Sequence, residues 1–272
     1  MKQSRDSEGL PGRKLKRLLH QLCERAQDDV RRISTHEESA THQLRLRVKK
    51  MMALLRLANV GIEKHTLQAM RQLLRAVKNA CAGNREYVVQ SRLIDKLTRR
   101  FHLAPKHRPQ LMGQVLKAPP ISELHHQLYA VGQLIDSTCI QLLSEEQILA
   151  QHARCYRKGR QLMKQACETT DKRTLHRWRH RVKDLYFQTL ALSHLRGAQR
   201  RIRRARRLGQ ILGRDQDLAN LATEPAFAMR RSPWVQVIHE HRDHLRERYL
   251  AFGHKLFAPP GTSFSGKIMN CA

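Results

Sequence analysis

Two stretches of the chain, HQLRLRVK at residues 42–49 and HRWRHRVK at residues 176–183, share the pattern H-x-x-R-x-R-V-K and are identical at five of eight positions. About 40 residues beyond each stretch a weaker similarity follows: AGNREYVVQSRL, which contains Glu86, and LGRDQDLANL, which contains Asp217. Two motifs that recur in the same order predict two similar structural units within one chain.

The spacing of apolar residues around these motifs predicts an all-α fold. Apolar positions recur every three or four residues, and no sustained alternation typical of strands is present. The segment between Phe101 and Ile121 contains four prolines and is predicted to be a loop. The predicted helices span residues 13–33, 38–58, 63–82, 86–101, 121–143, 145–168, 172–194, 198–212 and 233–256.

The repeat divides these helices into two groups. We expect a flexible segment at 1–12, a first helical repeat at 13–143, a second at 144–257 and a disordered tail at 258–272. Two four-helix bundles related by an internal pseudo-twofold axis are the simplest arrangement, and a ligand is expected in the cleft between them.

The charge of the chain indicates an acidic partner. It has 52 Lys and Arg against 23 Asp and Glu, a formal net charge of +29 and a pI near 11.0. Such a surface attracts nucleic acid, polyphosphate or an anionic membrane, with an affinity that falls as salt rises. Aromatic residues make up only 5% of the chain, which disfavours the base-stacking sites of single-stranded nucleic-acid binders.

Cysteines and apolar segments indicate where the protein resides. The six cysteines are scattered without a C-x-x-C pair, as expected for reduced thiols. The first residues lack the apolar run of a signal peptide, and no stretch is apolar enough to span a membrane. We therefore expect a soluble, cytoplasmic protein without a membrane partner.

The repeated motif predicts a cationic stripe on each of two helices. Its histidine, first arginine and lysine stand at positions 0, +3 and +7, which lie within about 60° on a helix. The first stripe is His42, Arg45 and Lys49, with Arg56 farther along the axis. The second stripe is His176, Arg179 and Lys183, with Lys172 before it. The adjoining faces are apolar and predicted to be buried, with Leu44, Val48, Met51 and Leu55 on one helix and Trp178, Val182 and Leu185 on the other.

Cations repeated at each helical turn suit a linear chain of phosphates. Arginine can form forked hydrogen bonds to phosphate, lysine supplies a point charge, and a histidine near an anion is more readily protonated. Binding is therefore expected to strengthen at mildly acidic pH. Further candidate stripes are Arg157, Arg160 and Lys164, and Arg200, Arg203 and Arg207. The alternative, that such runs are only solvated helix faces, applies well to a single motif and less well to two matched copies.

The helices around His42 and His176 resemble those of the CHAD family, the conserved histidine α-helical domain. LGQILGRDQDLANL resembles a family segment that ends in an aspartate, here Asp217, and the closing helix WVQVIHEHRDHLRERYLAFGHKLF is similar as well. The resemblance spans about residues 13–257. It implies one CHAD domain of two four-helix bundles with internal twofold symmetry, a basic central channel and binding of inorganic polyphosphate.

The resemblance implies that both cationic stripes contact the ligand, and it adds Lys50 as a further contact. Four positions depart from the family pattern. Asp184, which corresponds to Lys50 in the second repeat, would repel phosphate. Met51 and Met52 stand where the family commonly has Leu and a basic residue, and Glu86 replaces an aspartate. The E-x-E-x-K signature of the triphosphate-hydrolysing barrel often fused to CHAD modules is absent from the sequence.

Catalytic and metal motifs are weak, and we expect a non-enzymatic protein without cofactor or bound metal. GTSFSGKI at 261–268 nearly matches a phosphate-binding loop but follows two prolines instead of a strand. His239 and Asp243 are one helical turn apart without an apparent third ligand. Asp217 is expected to anchor a turn between helices.

Three functions are compatible with the sequence. Polyphosphate binding, with targeting to polyphosphate granules as its biological consequence, is the preferred one. A nucleic-acid binding module is the alternative, favoured by runs such as RRIRRARR at 200–207. A polyphosphate-acting enzyme is the third. The sequence indicates neither oligomeric state, nor preferred polyphosphate length, nor protein partners.

Overall fold

The computed structural model describes residues 11–81, 83–102, 120–169, 171–224 and 233–258, with side chains except at 83–87 and 233. Within these ranges the protein is all-helical, which confirms the predicted fold class. The predicted tail, the loop of residues 103–119 and GTSFSGKI lie outside the described residues. The helices are α1 (Pro11–Arg31), α2 (Glu37–Leu57), α3 (Lys64–Ala80), α4 (Gly83–Phe101), α5 (Ile121–Asp136), α6 (Glu145–Glu168), α7 (Lys172–Ala191), α8 (Ala198–Leu221) and α9 (Pro233–Leu256).

Local capping explains where the two central helices of the second half begin. Before α6, Ser144 and Gln147 form a reciprocal capping box, each side chain bonding the other's backbone N–H. Before α7, the Asp171 carboxylate accepts a hydrogen bond of 2.9 Å from the backbone N–H of Thr174. Both caps satisfy N–H groups that have no partner within the helix.

The predicted end of α5 at residue 143 is wrong. The helix ends at Asp136, and a short 3-10 helix, Ile140–Leu142, follows it. The hydroxyls of Ser137 and Thr138 donate to the carbonyl oxygens of Leu134 and Ile135. Side chains that bond nearby carbonyls in this way compete with the helical ladder and favour its end.

The predicted end of α8 at residue 212 is also wrong, because the helix continues to Leu221. Asp217 therefore lies within α8 and not in a turn between helices. Gly209 and Gly213, which resemble breaks in the sequence, are buried packing positions. An added Cβ at Gly213 would lie 3.3 Å from the guanidinium of Arg179 and at Gly209 3.7 Å from Val182, so these glycines let α8 approach α7 closely.

The buried apolar residues form two clusters. The first is built mainly by α1, α2, α3 and α5. The second is built by α6, α7, α8 and α9, and it also receives Ile94 and Leu97 from α4. Helix α4 thus packs on the second cluster although it precedes α5 in the chain. Its Gln90 side chain donates a hydrogen bond of 2.6 Å to Glu224, just beyond α8.

Helices α2 and α7, which carry the repeated motif, pack against each other between the two clusters. All the apolar residues predicted to back the motif are buried, including Val48 and Trp178, each with 0% exposure. Gln188 of α7 donates to the carbonyl of Ala53 in α2 at 3.0 Å and also contacts the buried His152 of α6. The motif helices are therefore held together by both packing and buried polar contacts.

In the part of the chain that the structure describes, none of the helices combines the length and apolar character needed to cross a membrane.

Candidate functional site

Two cavities lie along the paired helices α2 and α7. The first has a volume of about 690 Å³ and the second about 380 Å³. Arg45 and Lys49 of α2 and Arg179 and Lys183 of α7 line both of them. The structure thus brings the arginine and lysine of each repeated motif together, although they are far apart in the chain.

Positive side chains dominate the walls of both cavities. Ten Lys and Arg residues line the first cavity against two carboxylates, those of Asp184 and Asp217. Six line the second against Asp217 alone. Because each cavity has low-dielectric walls and an excess of one charge, its field concentrates anions.

The remaining predicted motif residues divide between the cavities. His42 lines the second cavity, whereas His176 and Arg56 line the first. Lys50 lines neither and instead lies near Arg25 and Arg47, where partial burial and then these two cations lower the pKa of its ammonium. The other predicted contacts that line neither cavity are Lys172, Arg157, Arg160, Lys164, Arg203 and Arg207.

Several cations of the first cavity were not predicted. Helix α3 contributes Arg75 and Lys78, and the carbonyl of Lys78 accepts a hydrogen bond from Arg45. The spacing of Arg71, Arg75 and Lys78 resembles that of the repeated motif, so the same search for helical stripes could have found this helix. Others are Lys158 of α6 and Arg177 and Arg181 of α7 in the first cavity, and Arg206 and Arg214 of α8 in the second.

Asp184 is paired with two arginines in the wall of the first cavity, and these arginines compensate the negative charge that would repel a phosphate ligand. Its carboxylate is buried and accepts hydrogen bonds from Arg56 of α2 at 3.2 Å and Arg181 of α7 at 3.1 Å. Burial raises the pKa of Asp184, and the two guanidiniums oppose that rise. One carboxylate therefore joins an arginine from each motif helix, and the three groups together retain a positive charge.

His176 and His180 form a hydrogen-bonded pair on the wall of the first cavity. Their Nε2 atoms are 2.9 Å apart, and Nδ1 of His176 lies 3.2 Å from Oε1 of Gln216. Gln216 donates through Nε2 to Asn220, which fixes its oxygen toward His176. Because Oε1 of Gln216 can only accept, His176 carries a proton on Nδ1, and one of the two Nε2 atoms carries the proton that joins the rings.

His180 stays neutral in the free protein down to strongly acidic pH. Partial removal from water lowers its pKa most, and electrostatic interactions with His176, Arg179, Lys183 and Lys78 lower it further, to about 3. The same groups would stabilise an anion in the cavity, which would in turn raise this pKa.

The arrangement suits the binding of an extended polyanion. Cations from α2, α3, α6, α7 and α8 converge, whereas catalysis of phosphoryl transfer usually requires carboxylates that hold a metal. Among the described side chains, no group of three or more His, Cys, Asp and Glu is placed to hold a metal ion.

An all-helical protein with a basic site on two repeated helices is the class that this geometry defines. The family model of the CHAD domain matches residues 13–224, and the chain belongs to this family. Helix α9 lies beyond the matched range. A search of curated proteins found no match.

Proposed function

We propose that this protein binds inorganic polyphosphate along the two cavities and does not transform it. The observation that carries the proposal is the convergence of Arg45, Lys49, Arg179 and Lys183 on both cavities. A linear phosphate chain can pass from one cavity to the other while each of these cations meets a different phosphate.

The two clusters of buried residues and the contact between α2 and α7 support a finer proposal. In it, two helical bundles are related by a pseudo-twofold axis that runs between the motif helices, and the cavities are parts of one basic channel. A cytoplasmic protein of this kind would be concentrated on polyphosphate granules. Membership of the CHAD family agrees with this proposal.

Competition between polyphosphate and duplex DNA tests the proposal against its main alternative. Labelled long-chain polyphosphate is bound at fixed salt and displaced with unlabelled polyphosphate or DNA at equal phosphate concentration. We expect polyphosphate to compete at least about tenfold better, because duplex DNA is too wide for these cavities and meets only surface charge. Equal competition would instead favour a nucleic-acid binding module. Release of phosphate from polyphosphate with any of several divalent metals would contradict the non-catalytic assignment.

Affinity for polyphosphate is expected to rise as the pH is lowered into the acidic range. The pKa of His180 is about 3 in the free protein, below its usual value of 6.5, and a bound polyanion raises it. Binding therefore takes up a proton at pH values between the pKa of His180 in the free protein and its higher pKa in the complex, and affinity increases toward acid across that window. Calorimetry in buffers of different ionisation enthalpy measures the uptake directly.

The control for this experiment is His180→Gln, which retains a polar side chain but cannot titrate. The variant should lose part of the proton uptake, whereas protonation of polyphosphate itself is the same for both proteins. Identical uptake by parent and variant would show that His180 is not the titrating group.

A further inference from the structure

Helix α8 carries exposed arginines that extend beyond the second cavity. Arg200, Arg203 and Arg207 are exposed and lie within about 60° of one another on the helix. Arg214 shares this face and also lines the second cavity. We refer to Arg200, Arg203, Arg207 and Arg214 as the α8 stripe, which is about 21 Å long from end to end.

The neighbouring arginines of α8 contact other residues of the protein. Arg201 lies over the ring of Tyr156, with its guanidinium carbon 4.7 Å from the ring centroid, and Arg204 donates to the carbonyl of Lys255 at 2.6 Å. By contrast, Arg200, Arg203 and Arg207 make no hydrogen bond or ion pair with the residues that the structure describes. No acidic residue occurs on α8 before Asp215. Their charges are thus directed to solvent without local neutralisation.

We propose that the α8 stripe is a second binding site for polyphosphate, which receives the part of a long chain that leaves the second cavity. This inference rests on the proposed function. Arg206 and Arg214 line the second cavity, and Arg207, Arg203 and Arg200 follow them along the exposed side of α8, so positive charge extends from the cavity along the helix. The consequence is preference for long chains, because a short chain is held by the cavities alone.

The test compares long-chain polyphosphate with tripolyphosphate, which is much shorter than the stripe. The variant R200A/R203A/R207A removes three charges that line neither cavity. We expect its affinity for long-chain polyphosphate to fall about tenfold at low salt and its salt dependence to become shallower by about 2 units. Its affinity for tripolyphosphate should remain within about twofold of the parent.

The matched control is R13A/R17A/R32A, which removes the same charge from exposed positions of α1 and the turn after it, in the first half of the chain. It should affect long-chain binding much less than the α8 variant. The inference would be overturned if the two variants lost the same affinity for long-chain polyphosphate. It would also be overturned if the α8 variant lost the same affinity for long-chain polyphosphate and tripolyphosphate. Either result would leave the proposed function intact. Failure of the parent to bind long-chain polyphosphate would overturn both. Circular dichroism verifies that each variant keeps its helicity.

Discussion

Replacement of Arg45, Lys49, Arg179 and Lys183 by alanine together is expected to reduce affinity for long-chain polyphosphate by about a hundredfold or more at moderate salt. These four side chains are the cations of the repeated motif that line both cavities. Hydrogen bonds to charged groups contribute more than neutral ones, and each cation that neutralises a phosphate also releases counterions. The dependence of log affinity on log salt should become shallower by about 3 units. Titration across a salt series measures both quantities.

A control with the same loss of charge separates a local site from diffuse attraction. R13A/R17A/R32A/K64A removes four exposed cations, none of which lines either cavity. This variant should retain most of the affinity. If both quadruple variants bind equally well, the cations of the motif do not form the site, and the net charge of the chain accounts for binding.

Replacement of Trp178 by alanine is expected to destabilise the protein by about 3–5 kcal/mol. Trp178 is fully buried on the apolar side of α7 and meets Tyr249 of α9 edge-on, with ring centroids 5.8 Å apart. Its removal leaves a large cavity between α7 and α9 and loses the transfer free energy of the ring. Urea unfolding followed by circular dichroism gives the change in the free energy of unfolding.

Gly253 provides an internal control for this contact. An added Cβ at Gly253 would lie 2.8 Å from the ring of Trp178, so Gly253→Ala should destabilise the parent by overpacking. In the Trp178→Ala background the same methyl group enters the vacated space. There, Gly253→Ala should lower the free energy of unfolding by less than in the parent, or raise it. Additive effects of the two substitutions would show that the helices do not pack as described.

Local periodicity predicted most of the helices and the buried faces of the motif. Leu44, Val48 and Val182 were assigned to the core from their spacing alone, and all have 0% exposure. Spacing suffices there because a helix places residues three and four apart on one face. It failed at the end of α5, where side chains bond to nearby carbonyls, and at the end of α8, where Gly209 and Gly213 lie within the helix close to α7 and do not end it.

The sequence predicted the cations that line the cavities less reliably than it predicted the helices. The four arginines and lysines that repetition distinguished from ordinary solvated charges line both cavities. Arg157, Arg160 and Lys164 of α6 line neither cavity, whereas Lys158 of the same helix does. A single helix has several polar faces, and only the position of its neighbours determines which of them borders a cavity.

The sequence by itself determined the helical class, the two helices that carry the repeated motif and the excess of positive charge, since these depend on composition and on spacing along one helix. Tertiary structure alone decided that α4 packs with the second half, that α3 adds Arg75 and Lys78, and that Asp184 joins Arg56 to Arg181. Each of these relations joins residues of different helices, and their separation in space depends on how the helices pack, which no local pattern records.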